Sequence, residues 1–448
     1  MRRYRPVWAL GHAAALLTWD AETHMPSEGC EERSMAIAKL SMLKQRLLLD
    51  PKLVELVDRA SGLESLNDYE RGVVRVVARE IRIYRRLPPS FVVEFTRTVQ
   101  RAKALWRAAR SRGDWGSFKP CLKRLFELSR EKAEYLGYDE HPYDALIDLF
   151  EEGARVRDAE RIFGYLVPRL RRILEKVLSR DGYPREHPLE KVRLPAGRAD
   201  VLARAVLSML GTPWGRVRVD QTSRSFMIRV GMRDVRIGLG FAKRDLRGVV
   251  LSAMHEFGHA LYELQIDERL IATPLARGAS NALHESQSLF WENVVGRSAS
   301  FIEALYPLAS AMLREVRSAG PEELYRYFNV VRPGALRVEA DEVTRDLHIY
   351  MRYVIEKLMV EGSIGIDDVP ELWNEYSEKL LGVKPRSFSE GLLQDVHWAA
   401  GFIGYFPTYT MGSVLAAQVA AHLSREIPNA QDLVKRGDFS VVKNWLRD

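Results

Sequence analysis

The chain has 448 residues, 46% hydrophobic and 28% charged, the balance of a globular protein large enough for one big domain or two to three ordinary ones. Its formal charge of +7 is spread along the sequence without a Lys/Arg block interleaved with aromatics, so it describes a solvated basic surface rather than a nucleic-acid groove. Two cysteines, Cys30 and Cys121, neither in a CxxC, exclude a disulfide framework and fit a reducing, cytoplasmic setting. Arginine is abundant while Asn and Gln are sparse, as in proteins of thermophiles or of GC-rich genomes.

The first twenty residues, MRRYRPVWALGHAAALLTWD, have the basic start and apolar stretch of an export signal. His12 interrupts that stretch and no small-x-small cleavage site follows, so a retained segment is expected. No run approaches 18 uncharged apolar residues, and no membrane span is expected. Residues 29–49, 158–180 and 371–381 place apolar side chains at three and four spacing with charges between, which predicts helices and a predominantly α protein. Residues 181–197, DGYPREHPLEKVRLPAG, are read as a long loop rather than a domain linker, because composition does not change across them; the chain is taken as one domain, 1–448. From 217 to 241 the period changes to two: Ile228/Val230 and Val235/Ile237/Leu239 alternate with polar or small residues around Gly231, predicting a small antiparallel sheet.

The next segment, MHEFGHALYELQ at 254–265, sets His255 and His259 one helical turn apart on one face with Glu256 between them. This HExxH arrangement suits a zinc ion held by two imidazoles, with the glutamate as general base. A catalytic zinc takes a third protein ligand and keeps one position for water. The metzincin pattern is excluded by Tyr262 and Gln265, and Glu263 lies about 12 Å along the axis from His255. A second helical pattern follows at 280–296, with Ser280 or Asn281 as cap. It offers His284, Glu285 and Glu292; Glu285 would complete a His2Glu set, though on spacing alone it is equally an acid stabilised by the helix dipole. His284 is a supporting donor or a packed neighbour. Such a set accepts Zn2+ and also Co2+, and activates water for amide hydrolysis, Glu256 accepting the proton and returning it to the leaving amine.

In order along the chain, LLTWDAETHMP, YDALIDLFEEG, HEFGH, HESQSLFWEN, LRVEADEVTRDLHI and GLLQDVHWAAGFIGYFPTYTMG resemble the carboxypeptidase Taq family of metallocarboxypeptidases. The resemblance implies a two-lobed helical fold with a deep groove, of neurolysin and angiotensin-converting-enzyme shape. It also implies a homodimer and broad removal of C-terminal residues from peptides with a free carboxylate. Carried over by motif, His255, His259 and Glu285 look like the metal ligands and Glu256 like the base. Arg337 occupies the position of the carboxylate-binding arginine, a role that suits its planar fork. Asp341 and Glu342 resemble a supporting acidic pair. His397, Tyr405 and Tyr409 resemble oxyanion and substrate contacts, at least one of them equally readable as helix packing.

Two stretches depart from the family pattern. DQTSRSF carries Arg224 and Ser225 where His and Pro are usual, and DVRIG has Gly238 at a threonine position, so edge geometry or substrate preference beside the groove is expected to differ. The amino terminus begins later than is usual in the family. Competing readings are a groove-type endopeptidase, a non-catalytic peptide-binding relative, against which the intact Glu256 speaks, and a basic RNA-associated protein with a structural HExxH.

Overall fold

The computed structural model describes residues 1–181, 183, 186–241 and 244–448. Helices dominate it, and the three predicted segments form helices at Cys30–Leu48, Val156–Leu178 and Val369–Leu381. None of the described helices is long and apolar enough to cross a membrane. The amphipathic stripes gather into two large apolar cores. One contains Val206, Ile237, Phe257, Trp291, Phe328 and Leu423; the other contains Phe126, Tyr143, Leu347, Trp373, Trp398 and Phe406. A smaller cluster joins Val7, Leu48, Val57 and Ile81 near the amino terminus.

The chain passes repeatedly between the large cores. Leu174 lies in the second, and Leu189 and Leu194 in the first, so residues 186–197 pack against the molecule and carry a 3-10 turn at Pro188–Lys191; Gly182, Pro184 and Arg185 of the 181–197 stretch lie outside the described residues. Among the described residues, two helices touch both cores. Asn281–Leu289 contributes Ala282 to the second and Leu289 to the first, and Phe406–Glu426 contributes Phe406 and Met411 to the second and Ala416 and Leu423 to the first.

The sheet differs from its expectation. Its strands are β1 (Val217–Gln221), β2 (Phe226–Gly231) and β3 (Asp234–Leu239), in the order β1-β3-β2. The β2–β3 hairpin is antiparallel, but β1 pairs parallel to β3, Val217 opposite Val235. Period-two alternation reports which face of a strand is buried and carries no information on strand direction. Parallel neighbours need a crossover connection, and here the β2 strand itself supplies it. Gly238 shows how this chain has repacked the departed motif: a Cβ there would lie 2.7 Å from Phe226 Cε1 and 2.9 Å from Thr222, so Phe226 and Thr222 fill the space a threonine would need.

The HExxH helix spans Leu246–Gln265 and starts at Asp245, whose carboxylate accepts from Gly248 N at 2.7 Å. It lies against Asn281–Leu289, capped by Ser280, whose hydroxyl accepts from Leu283 N. Their close approach depends on Gly258, between the two histidines: a Cβ there would meet Gln287 O at 2.5 Å and Ser288 Cα at 2.6 Å. Gly258→Ala is therefore expected to cost about 1–3 kcal/mol by overpacking, read as a lower denaturation midpoint.

Candidate active site

His255 and His259 share one face of their helix, ring centroids 4.8 Å apart. Their Nε2 atoms lie 4.0 and 3.5 Å from Glu285 Oε2, and the ligating atoms of the three residues all fall within 4.8 Å of one another. Donors 2.0–2.1 Å from a tetrahedral zinc are roughly 3.3 Å apart, so a small inward adjustment would seat the ion. The far side of each imidazole is engaged: His255 Nδ1 is 2.7 Å from Glu292 Oε2, and His259 Nδ1 is 3.1 Å from the His284 carbonyl and 2.7 Å from His284 Nδ1. A proton on each Nδ1 points the Nε2 lone pairs inward. His284 is thus a supporting partner, its Nε2 3.1 Å from Glu263 Oε1, and Glu263 is paired with Arg229 at 3.3 Å.

The helical pattern through 280–296 is interrupted where it matters. After Leu289 the chain widens into a π-helical turn, Phe290–Val295, a form often found at functional sites. That turn carries Glu292, which reaches the Nδ1 side of His255 while Glu285 lies on its Nε2 side.

Electrostatics also fit a cation. Burial disfavours charge on His255, but Glu285, Glu292 and Glu256 outweigh it and raise its pKa to about 9, so the metal-free pocket carries a proton where an ion's charge would sit. His259 is drawn down to about 4, by burial first. Burial works against ionised Glu285, yet His255, the hydrogen bond with His259 and Arg345 hold it far below the usual carboxylate range; Arg345 Nη2 donates to its Oε1 at 2.5 Å. Glu256 is 5% exposed and its Oε2 is buried without a hydrogen-bond partner. Burial, with the charges of Glu285 and Glu292, raises it to about 7, a value suited to proton transfer near neutrality.

The remaining predicted residues gather beside this pocket. Arg337, in a 3-10 turn at Arg337–Glu339, donates through Nε and Nη2 to Asp395 Oδ1 at 2.9 and 2.7 Å. Its guanidinium carbon and that of Arg345 lie 5.4 and 5.7 Å from the centroid of the Tyr409 ring. His397 Nε2 is 3.2 Å from the Tyr409 hydroxyl. Burial first, then Arg337 and Arg352 against the opposing Asp395, lowers His397 to about 3 and keeps it neutral; burial, opposed by Arg337, lifts the Tyr409 hydroxyl to about 12. Tyr405 is packed edge-on to Phe150 and to Tyr409, centroids 5.2 and 5.1 Å apart, which makes it the most architectural of the three. Gly412 of the Tyr409 helix would place a Cβ 3.0 Å from Glu285 Cβ and Cγ, so this second group presses directly on the Glu285 side chain. Asp341 accepts from the amides of Arg332, Val343 and Thr344 and ties down the turn before Arg345. Arg224 is paired at 3.8 Å with Glu22 of the first helix, Arg5–Thr23, and its positive charge also acts on Glu256 and His397.

A His2Glu cluster with two partly buried histidines and a buried glutamate, and with Glu256 adjacent, on a helical scaffold with a small sheet, has the features of a metallopeptidase of the HExxH class. The chain belongs to the carboxypeptidase Taq (M32) metallopeptidase family, which matches residues 1–448; it is a metal-dependent carboxypeptidase, a peptide hydrolase. It is 48% identical over 449 residues to thermostable carboxypeptidase 1 of Pyrococcus furiosus, covering 100% of this chain and 90% of that one, and 34% identical to carboxypeptidase 1 of Bacillus subtilis, covering 97% and 87%. Its fold is similar to a solved Pyrococcus furiosus carboxypeptidase with a TM-score of 0.96 at 48% identity, and to an M32 carboxypeptidase from Deinococcus radiodurans R1 with 0.94 at 32%; both alignments cover 100% of this chain and 90% of the other.

Proposed function

We propose that His255, His259 and Glu285 hold a Zn2+ ion, a set Co2+ can also enter, and that Glu256 is the general base of C-terminal peptide cleavage. A divalent ion in this set supplies polarisation of the scissile carbonyl and acidifies the attacking water. Glu256 takes the proton from that water and delivers it to the leaving amine nitrogen. Arg337 receives the terminal carboxylate of the peptide and so sets which bond lies over Glu256. With His397 Nε2–H donating to the phenol oxygen, the Tyr409 hydroxyl keeps its own proton for the developing oxyanion; Tyr405 shapes the wall behind it. The carrying observation is the physical link between the two groups: Arg345 contacts both Glu285 and the Tyr409 ring on which Arg337 also rests.

The reading extends to one catalytic domain over 1–448, working in the cytoplasm as a homodimer on peptides, with no role for nucleic acid or membrane. The deciding assay compares a peptide with its C-terminally amidated form. Loss of a charged partner for a buried arginine costs about 2–5 kcal/mol, so kcat/KM for the amide is expected to fall roughly 10²-fold. Equal cleavage of both, or cuts at internal bonds, overturns the assignment in favour of an endopeptidase.

A further inference from the structure

The arginine read above as the carboxylate receptor does not stand alone. Arg337 gives its side-on edge, Nε and Nη2, to one oxygen of Asp395. The other oxygen is taken by Arg352: Nε donates at 2.7 Å and Nη2 lies 2.7 Å away. Arg352 is wholly buried, its Nη1 fastened to the His348 carbonyl at 2.8 Å and its guanidinium carbon 4.6 Å from the Trp373 ring centroid. The backbone is held from the same segment, since Arg337 N donates to Gln394 Oε1 at 2.7 Å while Gln394 Nε2 donates to the Ala335 carbonyl at 3.0 Å.

Two guanidiniums on one carboxylate leave a surplus positive charge within this trio, with Glu356 acting on the Arg352 end. Burial works against the ionised form of Asp395, but Arg337 and Arg352 outweigh it and keep the carboxylate charged. The end-on edge of Arg337, reaching to Nη1, has no hydrogen-bond partner on Nη1 among the described residues, and it is the edge that can take a carboxylate bidentately. Without Asp395 the two cations would repel, and Arg337 would answer to Glu285, the other carboxylate whose charge acts on it.

We propose that Asp395 is a positioning residue of the carboxylate receptor: bridging Arg337 to the immobile Arg352, it presents the end-on edge of Arg337 to the C-terminal carboxylate of the peptide, an inference that rests on the reading of Arg337 above. The substrate carboxylate then neutralises the surplus charge. Arg352 anchors the bridge and touches no substrate.

The test uses the metal-loaded enzyme with one peptide as free acid and as amide, in wild type, Arg337→Ala, Asp395→Asn and Arg352→Gln. Asp395→Asn is expected to lower free-acid kcat/KM roughly 10- to 100-fold, chiefly through KM, with the amide much less affected, so the acid-to-amide ratio collapses. Arg352→Gln should move the ratio in the same direction by a smaller factor, and it decides the matter if Asp395→Asn does not fold. An unchanged ratio in the folded variants, or equal losses on both peptides, overturns the proposal. If Arg337→Ala collapses the ratio while Asp395→Asn and Arg352→Gln do not, the receptor reading survives and the positioning role falls; if Arg337→Ala leaves the ratio intact, both fall.

Discussion

Glu256→Gln is expected to yield a protein that still binds one metal ion per chain yet turns over peptide roughly 10²–10⁴-fold more slowly. The substitution preserves shape and removes only the ability to accept a proton. Glu256 is not in the ligand set, so metal content by elemental analysis should match wild type. Stability should not suffer. The folded-state pKa of this carboxyl is raised to about 7 from an ordinary 4.5, so in the metal-free protein its ionisation weighs against folding as pH rises from 4.5 to 7 and above, and a neutral amide escapes that penalty. Activity lost with metal and melting temperature unchanged identifies a reacting group; full activity would end the general-base assignment.

Glu285→Gln should behave in the opposite manner, releasing the metal on dialysis and with it at least roughly 10³-fold of turnover, since the ion accounts for several kcal/mol of transition-state stabilisation. An amide oxygen is a poor substitute for a carboxylate between two imidazoles. The change also removes the carboxylate to which Arg345 now donates at 2.5 Å and leaves Glu292, at 3.5 Å, as its remaining ion-pair partner among the described residues, so a lower melting temperature should accompany the loss of metal. Measuring metal content and melting together separates this variant from Glu256→Gln; a Glu285→Gln protein that keeps its ion would remove Glu285 from the ligand set.

These two residues were legible to different degrees. His255, Glu256 and His259 can be read from spacing because a helix fixes the relative placement of neighbours four apart. Glu285 on its own was as good a helix-terminal acid as a ligand, and Arg337 one arginine among many; for both, the resemblance of ordered motifs supplied the choice. The helices follow from the apolar period, while β1, expected antiparallel, pairs parallel to β3, since alternation is the same for parallel and antiparallel neighbours. Asp395 and Arg352 were missed. Asp395 lies 58 positions from Arg337 and 43 from Arg352 in the chain, and nothing local marks a contact made only by tertiary folding. The one available hint was that Asp395 stands two residues before His397 in QDVHW. The π-helical turn that aims Glu292 was similarly hidden, because a single widened turn barely disturbs the apolar pattern.

The two helices that touch both large cores, Asn281–Leu289 and Phe406–Glu426, pack on each other with Gly412 hard against Glu285. That places Glu285, the proposed third ligand, at the seam between the two large cores. Any rocking of one half against the other pivots about such a seam, where displacement is least and far rims travel most. Movement confined to the periphery would then leave the spacing of His255, His259 and Glu285 unchanged, so a peptide could enter or leave without disturbing the three side chains.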